Sequence, residues 1–212
     1  MKVEQAIQTF EEQPLTQSVL MNLLKDYRWP HNKIRELEKK GILTPVKRGL
    51  YMAGPALKGL RPSPFLLANH IYGPSYVSME AALSHWELIP EMVAAITSMT
   101  TGSTKTFNTP GGRFNYIKTR LPYYSFGIRR VELSRKQTVL MAGPEKALCD
   151  IIITRSGVIL RSPNQTMEFL VEDLRIEKSA LRGLDNNAII KWAQQAPKKS
   201  SIIMLTKTLE KL

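Results

Sequence analysis

The sequence predicts an α+β fold. Three observations carry that expectation: apolar residues recur at helical spacing at both ends of the 212-residue chain, strand-like runs rich in β-branched and aromatic residues fill the middle, and turn residues separate the two patterns. A fourth feature bears on function. Thirty Lys and Arg against 18 Asp and Glu give a net charge of +12 and a pI near 9.9, a balance suited to a polyanionic partner such as nucleic acid or to an anionic membrane surface.

Val3, Ala6, Ile7 and Phe10 fall at i, i+3, i+4 and i+7, which predicts a short amphipathic helix at the start. After Pro14, Thr16 is placed to cap a second helix whose stripe is Val19, Leu20, Leu23 and Leu24, ending near Tyr27. Pro30 suits the first turn of a third helix, which runs to Lys40 and stops at Gly41. Leu43–Val46 and Leu50–Met52 then read as two strands joined by Lys47, Arg48 and Gly49. Three helices followed by a hairpin predict a winged helix-turn-helix over residues 1–54, in which the third helix enters the major groove of DNA.

On that third helix Ile34 and Leu37 define the inward side, while Asn32, Arg35, Glu36 and Lys39 lie opposite, flanked by Lys33 and Lys40. These side chains can read bases: Arg bonds guanine bidentately, Asn suits adenine and Glu accepts from cytosine. Lys47 and Arg48 at the hairpin tip are expected to hold phosphates. Residues 28–48 carry seven basic and two acidic side chains. The competing reading is a plain solvated helix face on a protein-docking module.

The Ala53–Pro64 stretch has linker composition, placing a boundary near Gly54, with residues 55–212 forming a larger α+β domain built on a small mixed sheet. Helices are expected over Pro64–Tyr72 and Ser78–Leu88. Strands follow at Val93–Met99, Arg113–Lys118, Phe126–Leu133 and Thr138–Met141, with a turn at 109–112. Pro144 opens a helix through Ile153, and further helices are expected at 164–174, 185–194 and 199–211.

Residues 105–136 interleave eight basic residues and one acidic residue with Phe107, Phe114, Tyr116, Tyr123, Tyr124 and Phe126. Such a pattern fits a nucleic-acid or protein-partner surface made by Arg113, Lys118, Arg120, Arg129 and Arg130. It equally fits a sheet with aromatics packed inward and solvated cations, since strand alternation alone produces it.

No enzymatic constellation stands out. Gly102–Thr106 reads GSTKT, which lacks the glycine cradle and adjacent Gly-Lys of a P-loop and is expected to be a loop. His31, His70 and His85 stand far apart without metal-ligand spacing, so no metal or cofactor is expected. Glu80, Glu87 and Glu91 could converge with His85, but Glu80, like Glu145 and Lys146 after Pro144, sits in a first helical turn, where the dipole alone favours a carboxylate. The single Cys149 reads as a buried helix position. The longest uncharged stretch, residues 62–79, is broken by polar residues and cannot span a bilayer, and Glu4, Glu11 and Glu12 are unlike an export signal, so a cytoplasmic location is expected.

Four stretches resemble the AbiEi family of antitoxins: YVSMEAALSHWELIPE at residues 76–91, ITSMT at 96–100, AGPEKALCD at 142–150 and, near the start, KKGILTPVKRGLYMA at 39–53. They occur in the family's order, and the similarity as a whole covers most of residues 15–155. The resemblance implies an N-terminal winged helix that represses its own operon, binding promoter DNA at inverted repeats. It also implies a C-terminal domain that counters a nucleotidyltransferase toxin in a type IV toxin-antitoxin system without a stable complex, in some members as phage defence. Carried over by position, DNA contact falls on the Pro30–Lys40 helix and the Lys47–Arg48 wing. The residue-level alternatives are a stand-alone winged-helix regulator with a ligand-sensing or pairing C-terminal domain, and an RNA-binding factor working through the basic sheet.

Overall fold

A computed structural model describes residues 3–90 and 94–212. The chain begins with helix α1 (Val3–Gln8), the two-residue strand β1 (Leu15–Thr16), α2 (Gln17–Leu23), α3 (Pro30–Lys39) and the hairpin strands β2 (Leu43–Lys47) and β3 (Leu50–Ala53). Thr16 caps α2 as its sequence position predicts, its hydroxyl accepting from Val19 N at 3.3 Å. Gly41, with φ +67°, ends α3 in the conformation that favours glycine. β1, too short to show any periodicity, pairs antiparallel with β3 and gives a three-stranded sheet in the order β1-β3-β2.

Alternation along β3 makes this hairpin a wall shared by two cores. Ala53 joins Ile7, Leu20, Leu24, Ile34, Leu37 and Leu43 in the N-terminal core, with Tyr51 packed against it. Leu50 and Met52 point the other way and, with Val46, belong to the larger core of the rest of the chain. The Ala53–Pro64 segment is not a free tether. Gly54 N donates to Ile42 O at 2.7 Å, Ala56 N to Gly41 O at 2.9 Å, and Leu57 packs on the N-terminal core.

The second part is a mixed six-stranded sheet with helices before and after it. Its strands are β4 (Ser75–Val77), β5 (Ala95–Thr100), β6 (Lys105–Thr109), β7 (Gly112–Lys118), β8 (Ile128–Ser134) and β9 (Gln137–Ala142), in the order β6-β7-β5-β4-β9-β8. The β5/β7 and β4/β9 pairs are parallel and the others antiparallel. Helices α4 (Pro64–Ile71), α5 (Met79–His85) and α6 (Pro144–Thr154) pack against the sheet. α7 (Pro163–Glu168, extended by a π-helical turn to Asp173), α8 (Lys178–Leu181), α9 (Asn186–Ala193) and α10 (Lys199–Leu209) complete the chain. Leu160, Phe169, Leu170, Ile189, Ala193, Ile202 and Leu205 from this last third share the core with α6, so the helical tail is part of the domain.

Two strands depart from the expected pattern. β4 is read as a helix-to-helix connection in the sequence, yet Tyr76 and Val77 are both fully buried; neighbouring strand residues face opposite ways, so the sheet is covered on both faces there. β6 takes up Lys105 and Thr106 of the expected GSTKT loop and pairs with β7 from Lys105↔Tyr116 to Thr109↔Gly112. Of the strand expected at Val93–Met99, Val93 lies outside the described residues, as does Glu91 at the end of the first resemblance motif.

Candidate nucleic-acid interface and the buried motif network

α3 is fixed by its inner face. Ile34 and Leu37 are buried in the N-terminal core, and this leaves Asn32, Arg35 and Lys39 exposed at i, i+3 and i+7 along the outer face. Among the described residues no carboxylate pairs with Arg35 or Lys39. The flanking residues behave differently. Glu36 accepts from Lys33 at 3.0 Å and from Lys40 at 2.6 Å. These bonds hold the Glu36 carboxyl below its ordinary range and raise the Lys33 ammonium, and the three side chains together carry a single positive charge. Lys33, Glu36 and Lys40 thus form a clamp along the helix, while the free groups are Asn32, Arg35 and Lys39.

The hairpin tip divides in the same way. Arg48 is exposed beside Gly49. Lys47, expected to reach a phosphate, turns inward instead: its ammonium donates to the Ile71 carbonyl at the end of α4, fastening the hairpin to the larger domain. Glu12 and Gln13 add to that joint. Glu12 accepts from Ser134 Oγ at 2.6 Å and Gln137 Nε2 at 3.2 Å, and Gln13 donates to the Lys136 carbonyl at 3.1 Å. Hydrogen bonds from Ser134 and Gln137 lower the Glu12 carboxyl from its usual value.

Sequence spacing assigns no role to the turn before α3, yet it is the most aromatic exposed surface near the helix. Trp29 is 64% exposed and Tyr27 40%. The Arg28 guanidinium stacks 5.5 Å from the Trp29 ring centroid, and the Lys33 ammonium lies 5.4 Å from that of Tyr27. One signal was available: three bulky residues placed after the α2 stripe and before Pro30 have no inward position to fill.

The basic residues of the sheet do not form one surface. Arg113 and Lys118 lie on β7 beside one edge, while Arg129 and Arg130 lie on β8 at the other, separated by β5, β4 and β9. Four strand spacings put the two groups about 19 Å apart. Arg129 is also engaged, bonding Glu145 at 3.1 Å and lying 5.4 Å from the Trp86 ring centroid. Arg120 and Arg130 are exposed. Phe114, Tyr116 and Tyr123 are buried, so the aromatics of this stretch pack inward.

Two motifs distant in sequence meet inside the domain. Tyr76 and Ser78, from the first resemblance stretch, donate to Asp150 Oδ2 at 3.0 and 2.7 Å; Tyr123 donates to Asp150 Oδ1 at 3.0 Å. Lys146, one helical turn before Asp150, lies 3.1 Å from the same carboxylate, donates to the Tyr123 carbonyl at 3.0 Å and sits 3.1 Å from the Tyr123 ring centroid. Both charged side chains are wholly buried. Burial lowers the Lys146 ammonium from its ordinary value against the pull of Asp150, and raises the Tyr76, Tyr123 and Cys149 hydroxyl and thiol groups. Gly127, φ +62°, closes the site: a Cβ there would lie 2.7 Å from Lys146 Cβ and from the Trp192 ring. These hydrogen bonds and the buried ion pair tie β4 and the Tyr123 turn to α6.

Three of the remaining candidates for chemistry have structural partners. Glu80 pairs with Arg155 at 2.6 Å, Glu145 with Arg129, and His85 packs edge-on against Phe65 and Trp86. Among the described residues, no group of three or more His, Cys, Asp or Glu side chains is placed to hold a metal ion, and no helix is long and apolar enough to cross a membrane. No protein-family model and no curated protein matches the chain.

Proposed function

We propose that the chain is a duplex-DNA-binding repressor of its own promoter, with residues 1–54 acting as a winged helix-turn-helix and α3 as its reading helix. The observation that carries this reading is the row of exposed side chains on α3, Asn32, Arg35 and Lys39, on a helix whose opposite face is locked into a core by Ile34 and Leu37. Arg and Asn are the side chains that bond guanine and adenine edges bidentately, and Lys39 and Arg48 supply phosphate contacts beside them. The order of helices before an antiparallel hairpin supports the same reading. Fluorescence anisotropy on duplex DNA from upstream of the coding region, against a scrambled duplex over a salt series, tests it. Preference for the native duplex by ~10³-fold or more is expected, with log K falling by ~0.9 per phosphate contact for each unit of log salt. Arg35→Ala and Lys39→Ala should each weaken binding. Equal affinity for both duplexes would overturn the repressor reading.

We further propose the antitoxin role that the AbiEi resemblance implies, directed against a nucleotidyltransferase toxin without a stable complex. Its support is the resemblance, together with the meeting of two of its motifs at Asp150. Co-expression with a nucleotidyltransferase encoded beside it decides the matter: failure of the full-length chain to restore growth under active toxin removes the antitoxin role.

A further inference from the structure

We infer that the Arg28–Trp29 pair is a second contact element with duplex DNA, with the Trp29 indole set against base edges in the major groove and Arg28 on the adjoining phosphate. The inference rests on the DNA-binding reading of α3 and extends it to residues that this reading leaves out. Trp29 is the N-cap of α3, and in helix-turn-helix docking it is the N-terminal end of the reading helix that meets the bases. Its side chain makes no capping hydrogen bond and is 64% exposed, so the indole face away from Arg28 is open to a partner.

Single exposed apolar residues are ordinary on protein surfaces, and Leu60, Leu121, Leu140, Ile159 and Ile190 are examples on separate elements here. Tyr27 and Trp29 differ in standing two residues apart, on either side of an arginine, at the N-terminal end of the helix that carries the exposed cations Arg35 and Lys39. Trp, Tyr and Arg are the side chains that dominate binding hot spots, and the surrounding positive charge selects a polyanion over an apolar protein groove. Among the described residues no carboxylate pairs with Arg28; its contact is the face of Trp29, which leaves the guanidinium edge available to a phosphate. A planar indole reaching a base edge contacts a thymine methyl, an apolar group that only the major groove presents.

The two roles separate by experiment on the full-length chain, with the native and scrambled duplexes over a salt series. Arg28→Ala should weaken both duplexes alike and make the salt slope shallower by ~0.9, the signature of one lost phosphate contact. Trp29→Ala should lower affinity for the native duplex on the order of ten-fold, reduce the native-to-scrambled ratio and leave the salt slope unchanged, with Trp29→Phe retaining part of the ratio. Urea unfolding midpoints equal to wild type confirm that the exposed substitutions leave the fold intact. A ratio within two-fold of wild type for Trp29→Ala, while Arg35→Ala still weakens binding, overturns the inference and leaves the DNA-binding reading standing. No binding of either duplex by the wild-type chain overturns both.

Discussion

Asp150 is the residue whose loss the structure predicts to be most damaging. Its carboxylate accepts three hydroxyl hydrogen bonds and lies 3.1 Å from the wholly buried Lys146 ammonium. In Asp150→Asn the shape is kept and the charge is lost. Lys146 must then stay charged without a counter-ion or give up its proton. Shedding it at pH 7 from an ordinary value of 10.5 costs about 5 kcal/mol, at 1.36 kcal/mol per pH unit, which caps the charge penalty. Breaking a buried pair by removing one partner typically costs about 3–5 kcal/mol, in line with that ceiling. Asp150→Ala adds unsatisfied Tyr76, Ser78 and Tyr123 hydroxyls, at about 1–3 kcal/mol for each hydroxyl that finds no other acceptor. Against a total stability of about 5–15 kcal/mol, Asp150→Asn should be severely destabilised and Asp150→Ala close to unfolded. Urea denaturation at pH 7, followed by far-UV circular dichroism and tryptophan fluorescence, measures this. The cycle with Lys146→Met gives the coupling: the double variant Lys146→Met/Asp150→Asn should be about 2 kcal/mol more stable than the sum of the singles predicts, because neither charge is left alone. A loss under about 1 kcal/mol for Asp150→Asn, or strict additivity in the cycle, would refute the reasoning.

Four further outcomes follow from the geometry. Lys47→Ala should leave the salt dependence of DNA binding unchanged while lowering the urea midpoint, because its ammonium holds the Ile71 carbonyl; a shallower salt slope would return Lys47 to the DNA surface. Gly54→Ala should destabilise by about 1–3 kcal/mol, since its Cβ would lie 2.2 Å from the Gly41 carbonyl oxygen; an unchanged thermal midpoint would contradict the close packing of this segment. The Glu12 carboxyl, lowered from 4.5 in the folded chain, contributes stability that is complete above that value and lost as pH falls through the folded one; Glu12→Gln should flatten the dependence of the urea midpoint between pH 6 and pH 3. Charge reversal at Arg113 and Arg130 tests the sheet edges, one at a time, more cleanly than at Arg129, where a carboxylate would meet Glu145; growth rescue in co-expression is the readout, and equal rescue by both variants would remove the basic sheet from the antitoxin activity.

Local signals in the sequence determined most of the N-terminal unit. The Val3–Phe10 and Val19–Leu24 stripes, the Thr16 cap, Pro30 and Gly41 all act within a few residues of themselves. The cap, Pro30 and Gly41 appear in their expected places, while the first two helices close early, at Gln8 and at Leu23 rather than near Tyr27, leaving Phe10 and Leu24 in turns. The same locality made the α3 face legible: a helix with Ile34 and Leu37 inward has Asn32, Arg35 and Lys39 outward wherever it docks. Cys149 likewise sits buried in α6, as CDIII suggests.

Tertiary structure decided everything that depends on which distant segments meet. β1 and β4 are strands because β3, β5 and β9 offer them ladders; two or three residues carry no period of their own. Lys33, Glu36 and Lys40 share one helix, so their pairing follows from spacing once α3 exists. Lys47 bonding Ile71 and Glu12 bonding Ser134 and Gln137 do not, because a side chain's partner across 24 or 122 residues is set by how the two units pack. Strand order placed Arg113 and Arg129 four strands apart in the sheet, although the chain brings them within sixteen residues, and it gathered Tyr76, Ser78, Tyr123, Lys146 and Asp150 from across seventy-four. Composition and periodicity fix what each residue can do locally, but electrostatic and hydrogen-bond partnerships are properties of distances in space, and only the packed chain sets those.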